Sequence, residues 1–337
     1  MRVLVVDDSA FMRKVITEMI NSDPQLNVIG TAINGLDALE KIPKLRPDVV
    51  TLDVIMPRMD GLTTLKHIMK QHPLPVIMLS SATQKGTQET FEALKYGAID
   101  YVPKPSGQIS LDINKIKDEL IAKIKTAMLA KIGRHKQIPF SPIQYAHKLK
   151  EKIITIGAST GGPPALENIL SNLPENIPPI LIVQHMPPVF TKFFADRLDQ
   201  LCKFEVKEAE DGDLIVPGRA LIAPGGFHLT VESDGRVCLN KKPPIHGVRP
   251  AVDPMMETAA RVFRSETIGV ILTGMGRDGA YGMKAIKRNG GRTIAQDEAT
   301  CVVYGMPKAA VDEKCVDKIL PLHKIPEQLL CWCRAWT

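Results

Sequence analysis

KIITIGASTGGPPALENIL, residues 152–170, passes from an apolar run through a glycine-rich turn into a helix-like stretch. The β-branched Ile153, Ile154 and Ile156 predict a strand, and the glycines at 157, 161 and 162 predict a sharp bend. Strand, tight turn and helix in that order are the repeating unit of a parallel α/β sheet. The bend presents Ser159. Gly157, Ser159 and Gly161 satisfy G-x-S-x-G, which exposes a hydroxyl for nucleophilic attack. The same bend also suits a phosphate at the helix N-terminus, or is a plain structural turn. The motif alone leaves all three readings open.

Working outward, the pattern repeats. Strand-like runs at 179–185, 219–224, 267–273 and 292–296 alternate with helical stretches, and 204–240 is richer in turns and short strands. This predicts a doubly wound, mostly parallel sheet with a small antiparallel excursion. Towards the N-terminus, runs at 2–6, 26–31, 48–52, 75–80 and 98–102 alternate with helical segments such as 10–20 and 35–45. Five such strands predict a second doubly wound sheet, flavodoxin-like, with ligands at the carboxyl ends of its strands. A long amphipathic stretch, 112–132, closes that block, and Gly133, Pro139, Ser141 and Pro142 mark a linker. The expected division is 1–122, a linker 123–150, and 151–337.

The bulk composition fits two domains of an α/β protein. The chain has 337 residues, of which 44% are hydrophobic and 24% charged. No apolar run reaches the roughly 18–20 residues of a membrane span, and Met1–Asp7 turns acidic too early for a signal peptide. Six scattered cysteines without a CxxC pair predict free thiols in a reducing cytoplasm. The net charge of +6 is local. Residues 1–105 carry 12 basic and 12 acidic side chains and residues 151–337 carry 22 of each, so the excess, 9 against 3, lies in 106–150. Balanced blocks argue against a nucleic-acid-binding output. The basic segment reads as a solvated surface, with docking of an acidic partner as the alternative.

In the first block three strand ends finish on chemistry: Val6 leads into Asp7-Asp8, Leu52 into Asp53, and Leu79 into Ser80. A fourth, Tyr101-Val102, leads to Lys104. Three converging carboxylates call for a hard cation such as Mg²⁺. One of them can then act as nucleophile toward a phosphoryl group, with the metal and a lysine neutralising the charge; the alternative is that acidic residues simply begin loops, as in any α/β protein. The set Val5-Val6-Asp7-Asp8-Ser9, Leu52-Asp53 through Asp60-Gly61, and Tyr101-Val102-Pro103-Lys104-Pro105 resembles the receiver domain of bacterial two-component response regulators. The resemblance implies that Asp53 accepts the phosphoryl group. It implies that Asp8 and Asp53 hold Mg²⁺ with Asp7 assisting, that Lys104 contacts the phosphoryl group, and that Ser80 and Tyr101 are the switch residues.

A serine nucleophile needs an imidazole beside it and a carboxylate to orient that imidazole. His185 follows the run Ile180–Val183 and lies at a strand's carboxyl end; His228 is a rival, and His246 and His323 sit in loop-like surroundings. Asp278 and Asp297 each follow a strand, and the pattern does not rank them. The order Ser…His…Asp differs from that of the α/β-hydrolases. The turn also lacks the G-x-G-x-x-G spacing of a dinucleotide site.

Residues 151–337 resemble the chemotaxis methylesterase domain through Ile156–Pro163, Gln184-His185-Met186-Pro187 and Leu272–Gly279, with Ala295–Glu298 and Tyr304–Pro307 in support. The resemblance implies that Ser159 is the nucleophile, His185 the general base and acid, and Asp278 the orienting carboxylate. It further implies that Met275 donates its N–H to the oxyanion and that Thr160 contacts substrate. The implied activity is hydrolysis of glutamate γ-methyl esters on methyl-accepting chemotaxis receptors, with deamidation of receptor glutamines as a second activity. A chemotaxis histidine kinase is the implied phosphodonor. Mg²⁺ belongs to the receiver and no cofactor to the esterase. In the unphosphorylated chain the receiver is expected to cover the entrance to Ser159. Nucleic acid and membrane insertion are not expected.

Overall fold

The computed structural model describes residues 1–81, 83–104, 112–130 and 152–334. The chain divides into two compact units, Met1–Arg134 and His135–Thr337. Of the predicted linker 123–150, residues 123–127 continue the helix Asp112–Ala127, and residues 131–150 lie outside the described residues.

The first unit alternates β1 (Arg2–Val6), α1 (Ala10–Asn21), β2 (Asn27–Ala32), α2 (Gly35–Leu45), β3 (Val49–Asp53), α3 (Gly61–Gln71), β4 (Val76–Ser80), α4 (Gln84–Lys95), β5 (Asp100–Pro103) and α5 (Asp112–Ala127). Its five strands are parallel and ordered β2-β1-β3-β4-β5. Every residue of β3 and β4 is buried, which is why these strands read as continuous apolar runs rather than alternating ones. The first four βα turns each supply a helix start signal. Ser9, Asn34, Asp60 and Thr83 accept from the backbone N–H three residues on and satisfy a donor the helix cannot. Helix α5 is tied down by Lys125, 2.6 Å from Asp23, and by Lys123, which donates to the Tyr101 carbonyl at 2.6 Å.

The second unit comprises β6 (Ile153–Ala158), α6 (Gly162–Leu170), β7 (Ile180–Gln184), α7 (Phe190–Leu201), β8 (Glu205–Glu208), β9 (Arg219–Ile222), β10 (His228–Val231), β11 (Val237–Asn240), α8 (Val252–Phe263), β12 (Thr267–Ile271), α9 (Ala280–Arg288), β13 (Arg292–Gln296), α10 (Met306–Asp312), β14 (Lys318–Leu320) and α11 (Ile325–Arg334). Seven strands form one parallel sheet in the order β14-β13-β12-β6-β7-β9-β8. The small antiparallel excursion is present as a two-stranded pair. Strands β10 and β11 pair antiparallel, whereas β8 joins the main sheet parallel to β9. Strand β14 was not anticipated.

The chain starts this sheet at β6, winds outward through β7 and β9, then returns to the other side of β6 with β12. The crevice between β6 and β12 is therefore a topological switch point, where open α/β sheets hold their ligands. Helix α8 packs beneath it. Val252, Met255 and Met256 are fully buried, each stabilising the helix by about 1.5–3 kcal/mol relative to exposure. Among the described residues no helix is long and apolar enough to cross a membrane.

Candidate active site

Each unit gathers its chemistry at the carboxyl ends of its strands. In the first, Asp7 follows β1, Asp53 ends β3, Ser80 ends β4 and Lys104 follows β5. The Lys104 ammonium lies 2.7 Å from Asp7 Oδ2 and 2.7 Å from Asp53 Oδ2. Oxygens of Asp7, Asp8 and Asp53 lie within 4.8 Å of one another, with Asp8 exposed and the other two buried. Burial pushes the Asp53 carboxyl up to about 6, even against the hydrogen bond and charge of Lys104. Burial pulls Lys104 down, but its bonds to Asp53 and Asp7 leave it above the ordinary lysine value, so the cation persists. One ammonium against three carboxylates leaves a surplus of hard oxygen donors. That donor set fits a small divalent cation.

Ser80 is the buried one of the two adjacent serines. Its hydroxyl donates to the Gly86 carbonyl at 3.1 Å and accepts from Thr90 Oγ1 at 2.7 Å, so α4 holds it. Tyr101 is buried, with Lys123 Nζ 5.0 Å from its ring centroid.

In the second unit, Ser159 sits where β6 bends into α6. Its N–H donates to the Thr273 carbonyl at 3.0 Å, and its carbonyl accepts from Gly162 N at 2.7 Å. Gly161 adopts φ +76°, which a side chain resists. Gly274 is needed for proximity: a Cβ there would lie 2.7 Å from Ser159 Cβ. An oxyanion donor does not come from the first turn of α6, because positions 163 and 164 are prolines and Gly162 N–H is already used. The loop after β12 lies against this bend instead. Thr273 Oγ1 donates to the Thr160 carbonyl at 2.9 Å, fixing Thr160 as a buried part of the wall, while Met275 is 47% exposed at the mouth.

His185 comes into place through strand register. Ala158 pairs with Gln184 across β6 and β7, and His185 N–H donates to the Ala158 carbonyl at 3.1 Å. Ser159 and His185 thus leave neighbouring strand ends side by side. Gln184 reinforces this: its buried amide donates to the carbonyls of both Ser159 and His185 at 3.1 Å. A polar residue closing an apolar run was the signal that could have marked Gln184 as part of the site. Among the described residues no hydrogen bond joins Ser159 Oγ to the His185 ring.

His185 Nε2 donates to Asp278 Oδ2 at 2.7 Å, which leaves Nδ1 as the basic ring nitrogen. Asp278 also caps α8, its Oδ2 accepting from Val252 N at 2.7 Å and its Oδ1 from Asp253 N at 3.0 Å. Burial works to raise the Asp278 carboxyl, but the bond and charge of His185 and the two helix N–H groups hold it below the usual range. The rivals are occupied elsewhere. His228 is buried with both ring nitrogens on backbone, Nδ1 accepting from Ala251 N and Nε2 donating to the Pro243 carbonyl. Asp297 Oδ1 caps its own turn, accepting from Thr300 N at 2.9 Å and Thr300 Oγ1 at 2.6 Å. His323 is exposed. His246 bonds a carboxylate of its own, Asp253, at 3.1 Å.

Comparison with known proteins agrees with both units. Residues 154–329 match the family model described as CheB methylesterase, and residues 3–114 match the response regulator receiver domain. A protein-glutamate methylesterase/protein-glutamine glutaminase of Pyrococcus abyssi is 54% identical, the alignment covering 98% of this chain and 92% of that one. One of the same name from Thermotoga maritima is 48% identical, covering 98% and 97%. The crystal structure of the Thermotoga maritima CheB methylesterase catalytic domain superposes with a TM-score of 0.53 at 52% identity, covering 54% of this chain and 98% of that one.

Proposed function

The chain belongs to the CheB methylesterase family and carries a response regulator receiver domain, and from that premise we propose a phosphorylation-controlled protein-glutamate methylesterase that adapts chemotaxis receptors in the cytoplasm. The observation that carries the reading is the His185–Asp278 pair at 2.7 Å, held beside the Ser159 bend at the switch point of the sheet.

Ser159 Oγ forms a bond to the ester carbonyl carbon of a glutamate γ-methyl ester while its proton passes to His185 Nδ1. Asp278 stabilises the imidazolium and keeps Nε2 protonated. The carbonyl oxygen becomes an oxyanion, met by the Met275 N–H. The C–OCH₃ bond then breaks, His185 returns its proton to the methoxide, and methanol leaves. Water attacks the acyl carbon and gives a proton to His185; the acyl C–Oγ bond breaks, His185 passes that proton to Ser159 Oγ, and the glutamate side chain leaves as its free acid, which ionises in solvent. A glutamine side chain follows the same path with ammonia as the leaving group.

Asp53 is the phosphoacceptor, with a chemotaxis histidine kinase as donor. Asp8 and Asp53 would hold Mg²⁺ and Asp7 would assist; the ion supplies charge neutralisation for the transferred phosphoryl group. Lys104 contacts that group. Ser80 leaves Thr90 and Gly86 to bond a phosphoryl oxygen, and Tyr101 follows as the aromatic switch. The test is methanol release from methylated receptor with and without a small phosphodonor. Release that rises with the donor supports the reading, and no release under either condition removes it.

A further inference from the structure

The first turn of α8 carries a second carboxylate directly behind Asp278. Asp253 is 4% exposed, and its own N–H is the donor to Asp278 Oδ1. Its Oδ1 accepts from Gly282 N, in the first turn of α9, at 2.8 Å, and its Oδ2 accepts from His246 Nε2 at 3.1 Å. His246 holds the left-handed conformation, φ +53°, and stacks on Tyr281 with ring centroids 6.5 Å apart. A non-glycine residue in that region is uncommon and persists where its surroundings fix it. The result is two imidazole–carboxylate pairs back to back, His185–Asp278 and Asp253–His246, with ligand atoms of Asp253, Asp278 and His246 within 4.8 Å of one another.

This group is not a cation site. All four carboxylate oxygens already accept hydrogen bonds from the protein. Nor is capping a sufficient account of Asp253, since a neutral asparagine would accept from Gly282 without adding a buried like charge. Burial and the charge of Asp278 push the Asp253 carboxyl up, and Gly282 N–H and His246 oppose them. The other ionisable groups around Asp253 are His185 beyond Asp278, Glu257 and Arg261 on α8, and Cys315 with its neighbours Lys284 on α9 and Glu313.

We propose that Asp253 and His246 are positioning residues of the hydrolase: Asp253, anchored by His246 and Gly282, orients Asp278 through its N–H and adds a second negative charge that strengthens His185 as a base. The proposal rests on the esterase reading for its purpose, but its physical content is separable. It is tested by titrating the His185 ring by NMR in the full chain and in D253N, H246Q and the double variant. Removing the Asp253 charge is expected to lower the His185 titration midpoint by roughly half a unit to one unit. H246Q acts only through Asp253, so whatever shift it causes alone vanishes in the D253N background. D253S, neutral and suited to a first helical turn, is the second variant should D253N fold poorly. The rate at which a fluorophosphonate labels Ser159 should show its acid limb moving with the ring titration. An unchanged midpoint in folded D253N or D253S, or an H246Q shift that survives in the double variant, overturns the proposal. Wild-type Ser159 that takes no phosphonate would count against the esterase reading alone, since the ring titration needs no turnover.

Discussion

The two centres share a scaffold and differ in how their charge is settled. Both lie at the carboxyl ends of a parallel sheet, on loops that leave neighbouring strands. The Asp53 centre sets one lysine against three carboxylates and so carries excess negative charge. The Ser159 centre is internally answered: Asp278 has an imidazole and two helix N–H groups, and no carboxylate oxygen near it is left open. An unsettled site suits a switch that waits for a cation and a phosphoryl group. A settled one suits repeated turnover, because its dipoles need no rearrangement at the moment of reaction. The fold supports both, and the loops decide which chemistry follows.

The contrast breaks most visibly at the Ser159 centre. His185→Ala should lower kcat by about 10²–10⁴-fold while the chain still folds, and because the ring is Asp278's buried partner its loss should also lower the melting temperature. Phosphorylation of Asp53 by a small phosphodonor should be untouched in that variant, as radiolabel or intact mass would show. An imidazole loss that also abolished phosphorylation would mean the two centres are not chemically independent.

Asp278→Asn should follow, lowering kcat by about 10²-fold or more through loss of the imidazole's orienting partner. Its stability signature has a defined sign. The Asp278 carboxyl is held low in the folded chain, so its contribution is full above pH 4 and is lost as pH falls further. The melting-temperature gap between wild type and the variant should therefore narrow on acidification below pH 4, measured by calorimetry. A gap constant across that range would show that Asp278 gains nothing from His185 and α8.

Asp53→Asn is the complementary case. It should abolish stimulation of methanol release by phosphodonor while leaving basal activity intact. Because the folded-state value, about 6, lies above the unfolded one, ionised Asp53 opposes folding, and its stabilising contribution disappears as pH rises through 6. In magnesium-free buffer the variant should gain roughly 1 kcal/mol over wild type at pH 7.5, allowing for solvent screening, and nothing below pH 4. Thr90→Val is the smallest test. It removes the donor that holds Ser80, should cost about 1 kcal/mol, and should reduce the phosphodonor concentration needed for half-maximal stimulation.

How far the sequence could be read depended on where each residue sits in a sheet. Strands such as Val76–Ser80 are buried on both faces and announce themselves as apolar runs. Glu205–Glu208 and Lys318–Leu320 are short edge strands with largely exposed or half-exposed residues, and nothing in EVKE or KIL marks them as sheet. Ser159 and His185 were legible because each directly follows such an apolar run. Asp278 and Asp297 were not separable by pattern, since each follows a strand. The difference is strand order: β12 pairs with β6, whereas β13 lies one strand further out, a fact fixed only by tertiary winding. Asp253 gave no local signal, because packing of α8 beneath the crevice is what brings it behind Asp278, and His246 read only as a loop histidine.

The most direct measurement of the hydrolase claim is mass spectrometry of the full chain after brief exposure to a fluorophosphonate. A single adduct on the peptide containing Ser159, absent in Ser159→Ala and slowed at least a hundredfold in His185→Ala, is the expected result. No adduct at Ser159, or one that forms as fast without the imidazole as with it, would contradict the account.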